Sequence, residues 1–150
     1  MKNTIRTFAL LAASAFSTSA MADVTLPKLF TDHMVLQRES KIPVWGKADA
    51  GENVSVTLAG QTQSTTADQQ GKWRIVLDAV KSDQPLEMRV KGNNTLAIHD
   101  VLIGEVWVCS GQSNMEWPVR MARDPEAEAA AANWPHIRFF NVSVKKTPAR

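Results

Sequence analysis

Alternation of apolar and polar residues, broken at short intervals by turn signals, governs the middle of this chain and leaves it few ways to fold. Val54-Ser-Val-Thr-Leu58 puts Val54, Val56 and Leu58 on one face. Gln61-Thr-Gln-Ser-Thr-Thr66 follows Gly60 as a polar, β-branched partner. Asp68-Gln-Gln-Gly71 is a turn, and Lys72-Trp-Arg-Ile-Val-Leu77 resumes the alternation with Trp73, Ile75 and Leu77 inward. Leu86-Glu-Met-Arg-Val90 repeats it. Gly92-Asn93-Asn94 is a further turn, and Thr95-Leu-Ala-Ile-His99 opens another strand. Successive side chains of a strand point to opposite faces, so each run buries one face and wets the other. Short strands at this spacing predict an antiparallel sandwich or barrel. Pro43 and Pro85 lie near strand starts or edges, where a missing N–H is tolerated.

The N-terminus has a different grammar. Lys2 and Arg6 precede the apolar run Phe8-Ala-Leu-Leu-Ala-Ala-Ser-Ala-Phe16, and Ala20-Met21-Ala22 has the small-x-small form of a cleavage site. The three parts together predict a secretory signal peptide over residues 1–22, cut after Ala22, and a secreted or periplasmic protein. The apolar run is too short to cross a bilayer as a helix, and no later run is longer, so no membrane span is expected. The chain has 17 Lys and Arg against 15 Asp and Glu; Lys2 and Arg6 leave with the signal and no acid does, so the remainder balances at 15 and 15. No basic patch points to nucleic acid. The single cysteine, Cys109, excludes an internal disulfide and follows apolar residues, which predicts a small core residue.

After about Leu102 the pattern shifts to a near-continuous apolar run. Val106-Trp107-Val108 leads into Cys109-Ser-Gly-Gln-Ser-Asn114, as when a buried strand delivers a serine to a sheet edge. Gly111 permits a sharp turn there. Ser113 then opens the next element with its hydroxyl exposed and its N–H free, the two things a nucleophilic serine needs. Asp124-Pro125-Glu-Ala-Glu-Ala-Ala-Ala-Ala-Asn133 predicts a helix with Asp124 as N-cap and Pro125 in its first position. Ile137-Arg-Phe-Phe-Asn-Val142 predicts a second strand, which completes one βαβ unit with parallel strands. One such unit cannot cover both faces of a parallel sheet.

Gly104-Glu-Val-Trp-Val-Cys-Ser-Gly-Gln-Ser-Asn-Met-Glu-Trp-Pro118 resembles the nucleophile block of the sialate O-acetylesterase family, a branch of the SGNH (GDSL-like) hydrolases. Leu29-Phe-Thr-Asp-His-Met-Val-Leu-Gln-Arg38 and Ile42-Pro-Val-Trp-Gly46 are similar to that family's N-terminal β domain. The resemblance implies an α+β chain. An antiparallel β-sandwich or jelly-roll-like domain over residues 23–101 would precede the start of a flavodoxin-like SGNH hydrolase domain over residues 102–150. It implies Ser113 as nucleophile, the Ser113 N–H as one oxyanion donor, and site-shaping roles for Gly111, Gln112 and Asn114. It implies no cofactor and no metal. The family's Asp-x-x-His and its later oxyanion blocks have no counterpart in this sequence, so the chain corresponds to the first part of a longer enzyme.

Other residues invite competing readings. Ser110 fits a turn or cap, and Cys109 lies on the strand rather than the turn, with no histidine nearby. Glu116 fits a site acid, or the last residue of an S-x-x-E capping box with Ser113 as N-cap. His136 reads as a surface or edge histidine, and His33 and His99 fall in the β domain. Trp73 and Trp107 read as core, whereas Trp117 is close enough in sequence to Ser113 to line a substrate pocket. Three functions remain open. They are hydrolysis of O-acetyl esters of sialic acid, deacetylation of acetylated xylan or another glycan, and sugar binding by the β domain without catalysis.

Overall fold

The computed structural model describes residues 23–142. The signal peptide expected over residues 1–22, and the tail from residue 143, lie outside the described residues. Seven strands form: β1 Val35–Gln37, β2 Ile42–Lys47, β3 Asn53–Leu58, β4 Gln61–Thr66, β5 Lys72–Leu77, β6 Leu86–Lys91 and β7 Thr95–Gly104. The fold is mostly β, with one α-helix, α1 Pro125–Ala131, and two 3-10 turns, Ser113–Glu116 and Val119–Met121.

The strands make two sheets, one ordered β1-β7-β6-β3-β4 and one of β2 and β5. Their inward residues meet in a single core. Val54, Val56 and Leu58 of β3 are fully buried, and Ile42 and Val44 of β2, Trp73, Ile75 and Leu77 of β5, and Met88 and Val90 of β6 join them. The alternation read from the sequence therefore sets which face of each strand is dry. Burying a Leu or Val side chain is worth about 1.5–3 kcal/mol, enough to fix each register against a one-residue slip. One pair departs from the antiparallel expectation: β1 runs parallel to β7, with Leu36 beside Ile103. The β3–β4 hairpin turns through Ala59 and Gly60, both at positive φ (49° and 78°), which matches the twist of the flanking strands.

Two contacts tie the loops to this core. The half-turn at Gly46 is crossed by the Thr25–Lys47 bridge, and a Cβ on Gly46 would lie 2.1 Å from the Thr25 carbonyl, so only glycine fits. The Glu52 side chain is the one buried charged group among the described residues. It accepts hydrogen bonds from the N–H of Asp49 (2.8 Å) and of Asn93 (2.6 Å), which caps two turns at once. At the seam between the sheets, Gln61 Nε2 donates to the Asp78 carbonyl (3.1 Å) and the Asp78 N–H donates to Gln61 Oε1 (3.0 Å).

β7 is longer than its sequence pattern suggests. It runs through Val101 to Gly104, with an irregularity where Leu86 and Met88 of β6 oppose Val101 and Ile98. The extra residue falls at His99 and Asp100, and Asp100 takes a left-handed backbone (φ 54°). This is a β-bulge, which re-aims a side chain out of the regular pleat.

Beyond β7 the expectations change. α1 forms where predicted, with Pro125 at its start and Asp124 at the N-cap position, but Asp124 is left-handed and makes no side-chain cap bond. The strands expected over Val106–Val108 and Ile137–Val142 do not form, so among the described residues there is no βαβ unit. Trp107 is 82% and Val108 90% exposed, and Cys109 is exposed too, against the expectation that Trp107 and Cys109 are core. The physical reason is that strand order is a property of pairs. An apolar run has strand propensity, but without a neighbouring strand its N–H and C=O groups have no ladder to join.

Candidate active site

The chain leaves β7 through a pinned exit. The Arg38 N–H donates to the Gly104 carbonyl (2.9 Å), and Arg38 Nε lies 3.5 Å from the Glu105 carboxylate. Gln37 grips the next two residues, with Nε2 donating to Glu105 (3.0 Å) and Oε1 accepting from the Val106 N–H (2.9 Å). An unpaired extended stretch follows. It ends at Gln112, whose extended backbone (φ −90°, ψ −165°) caps the 3-10 turn Ser113–Glu116.

Ser113 is the first residue of that turn and is exposed, as are Gly111, Gln112 and Asn114. The turn closes through the Met115 N–H on the Gln112 carbonyl (2.9 Å) and the Trp117 N–H on the Asn114 carbonyl (3.3 Å). Among the described residues neither the Ser113 hydroxyl nor its N–H has a hydrogen-bond partner. Both are therefore available, one to attack and one to donate to a developing oxyanion. Gly111 is extended (φ 159°) rather than sharply turned, and a Cβ there would meet only the flexible Met115 side chain, at 3.1 Å. The capping-box reading of Glu116 is corrected: Gln112 holds the N-cap, and no side chain bonds the turn's N–H groups. Trp117 follows the turn, 60% exposed, with its ring free to meet a ligand.

No histidine among the described residues hydrogen-bonds Ser113. His99 lies 3.5 Å from both Asp32 and Glu87, and His33 Nδ1 lies 2.5 Å from Asp100 Oδ2. These are contacts on the β sheet. They act on the carboxylates: the His33 hydrogen bond, then that of Arg138, hold the Asp100 carboxyl below its ordinary value. The backbone N–H of His99, which Asp32 accepts at 2.7 Å, does the same for Asp32.

Arg138 is the residue that sequence reading missed. Its guanidinium donates to the Asp100 carbonyl (2.6 Å) and to Asp100 Oδ2 (2.9 Å). Nothing in Ile137-Arg-Phe-Phe marks this arginine, because its partner lies on a bulge that only strand pairing reveals.

No protein-family model matches the chain. It is 35% identical to the sialate O-acetylesterase of Mus musculus over 149 residues, which span 90% of this chain and 27% of the mouse protein. It is 38% identical to the sialate O-acetylesterase of Rattus norvegicus over 75% of this chain and 23% of that protein. The human sialate O-acetylesterase matches at 37% identity over 73% of this chain and 24% of its own length. A crystal structure of a carbohydrate acetylesterase from Xanthomonas citri superposes with a TM-score of 0.72 at 39% identity, over 75% of this chain and 26% of that one. The chain thus spans about a quarter of the length of the relatives it matches. By sequence and by fold, over most of its own length, this chain is a homologue of the sialate O-acetylesterases.

Proposed function

We propose that residues 23–142 belong to a serine esterase that removes O-acetyl groups from sialic acid, with Ser113 as its nucleophile. One observation carries the reading. In a chain 35–38% identical to sialate O-acetylesterases, Ser113 opens a helical turn with its hydroxyl and N–H both unengaged. In the proposed step Ser113 Oγ attacks the acetyl carbonyl and its proton passes to a base. The Ser113 N–H holds the oxyanion, the sugar hydroxyl leaves, and water then releases acetate from the acyl-enzyme. Gly111, Gln112 and Asn114 shape the pocket, and Trp117 lines it. The finer architecture belongs to the same proposal. Residues 23–101 make a jelly-roll-like sandwich. Val106–Val108 and Ile137–Val142 pair into the first βαβ unit of an SGNH domain when neighbouring strands are supplied. Export through the signal peptide would bring the enzyme to acetylated sugars outside the cytoplasm.

A second reading keeps the chemistry and changes the sugar. The Xanthomonas citri relative is described as a carbohydrate acetylesterase, which favours acetylated glycans other than sialate.

The test is acetate release by this chain alone and by residues 23–142 joined in frame to the remainder of a sialate O-acetylesterase, each with and without Ser113→Ala. Alone, with no base on Ser113, turnover should fall far below the order of 1 s⁻¹ common for enzymes. In the fusion, Ser113-dependent release from O-acetylated sialic acid supports the first reading. Release from acetylated xylan only moves it to the second. Binding of sugar by a folded fusion without any turnover would leave the β domain as a binding module.

A further inference from the structure

The stretch that carries Ser113 is a closed excursion. It leaves the sheet at Gly104, under the grip of Gln37 and Arg38, and Arg138 brings it back to Asp100, on the same strand it left. Between residues 105 and 142 every side chain is exposed except Pro118, Pro125 and Arg138. Arg138 is only 17% exposed, so this one long side chain is laid down while its apolar neighbours are not, and Phe139 is 95% exposed. Hydrophobic burial therefore does not explain the return. The fork does: one guanidinium edge spans the carbonyl and the carboxylate of a single residue.

Asp100 is built for that fork. The bulge and the left-handed φ turn both of its acceptors to the same side. A non-glycine residue in that region carries a conformational cost, and Asp is among the few that tolerate it. His33, itself left-handed (φ 64°) and tied by its N–H to the His99 carbonyl (3.0 Å), braces the carboxylate from the opposite side.

We infer that Asp100, braced by His33 and forked by Arg138, is a clasp that holds the serine-bearing excursion shut on the β sheet. Asp100 and Arg138 are positioning residues. Their importance for catalysis rests on the reading of Ser113 above. The clasp itself does not, because it is tested by motion and not by acetate release.

Cys109 supplies the probe, since it is exposed, is the chain's one cysteine, and sits inside the excursion. A spin label on Cys109 of the full chain, with amide exchange of peptides covering residues 132–142, is compared across Arg138→Met, Arg138→Lys and Asp100→Gly. Asp100→Gly suits the left-handed backbone and removes only the carboxylate. Arg138→Met should sharpen the label's spectrum and speed exchange about tenfold, the scale of losing a charge-assisted bond, with the β-sheet amides unchanged. Arg138→Lys should recover part of the protection, because an ammonium cannot make the fork. Arg138→Met with Asp100→Gly should add little beyond Arg138→Met. Unchanged label mobility in a folded Arg138→Met chain, or full additivity of the two changes, would overturn the clasp. Should Arg138→Met fail to fold, Asp100→Gly alone decides by the same two readouts.

Discussion

Val56 and Val108 are the same residue type in runs of similar character, yet Val56 is fully buried and Val108 is 90% exposed. The β unit up to Gly104 and the excursion after it differ in this way throughout. In the first, each apolar residue faces another sheet. In the second, Trp107, Trp134, Phe139 and Val142 face nothing. The difference is one of supply and not of composition: a strand or an apolar face becomes structure only when a complementary partner is present. The β unit carries its partners within itself. What holds the excursion is polar and sparse, two side chains of β1 and its flank at the exit and one arginine at the return.

The contrast predicts its largest effect in the core. Leu58→Ala or Leu77→Ala should lower stability by about 2–5 kcal/mol in urea unfolding, whereas Phe139→Ser should stay within about 0.5 kcal/mol. Equal costs would mean that Phe139 is packed in solution. Limited proteolysis should likewise cut between residues 105 and 142 well before the β unit, and equal resistance of the two regions would count against the contrast. Next is Glu52→Ala, which strands the N–H groups of Asp49 and Asn93 and should cost about 1–3 kcal/mol.

Acid should separate the two regions further. The Asp100 and Asp32 carboxyls are both held below their ordinary values, so they bind protons less readily folded than unfolded. Their contribution is therefore present above about pH 4 and is lost as pH falls through the lowered values. Exchange at residues 132–142 should rise in that window, with His33 and Arg138 losing their shared anion, and Asp100→Asn should remove most of this pH dependence. The smallest effect is expected at the hairpin. Ala59→Asn, which suits a positive φ, should raise the melting midpoint by an amount equivalent to about 1 kcal/mol or less.

The β unit was legible because its signal is local. Val54, Val56 and Leu58, or Trp73, Ile75 and Leu77, state their buried face within one run, and Asp68–Gly71 states its turn. Val106-Trp107-Val108 carries the same kind of local signal, but a run apolar on both faces needs strands on both sides, and that condition is not written in the run. The polar devices were illegible for a related reason. Glu52, the Asp100 bulge and Arg138 each act on residues 38 to 41 positions away, or on a register slip, and no short motif announces them. Ser113 could be singled out because its neighbours Gly111, Gln112 and Asn114 form a block of unusual composition. The turn that presents it is shorter than expected and is capped by Gln112 instead.

Gln61 gives the seam between the sheets a chemical weakness. Its side-chain amide takes the place of a peptide unit, offering one donor and one acceptor to Asp78. Only an amide can do both. Replacing its NH₂ with an oxygen, as in Gln61→Glu or after deamidation, would set a negative charge against the Asp78 carbonyl and leave a single bond where there were two. The join would then depend on the integrity of one hydrolysable C–N bond, a point of ageing for an otherwise apolar and inert body.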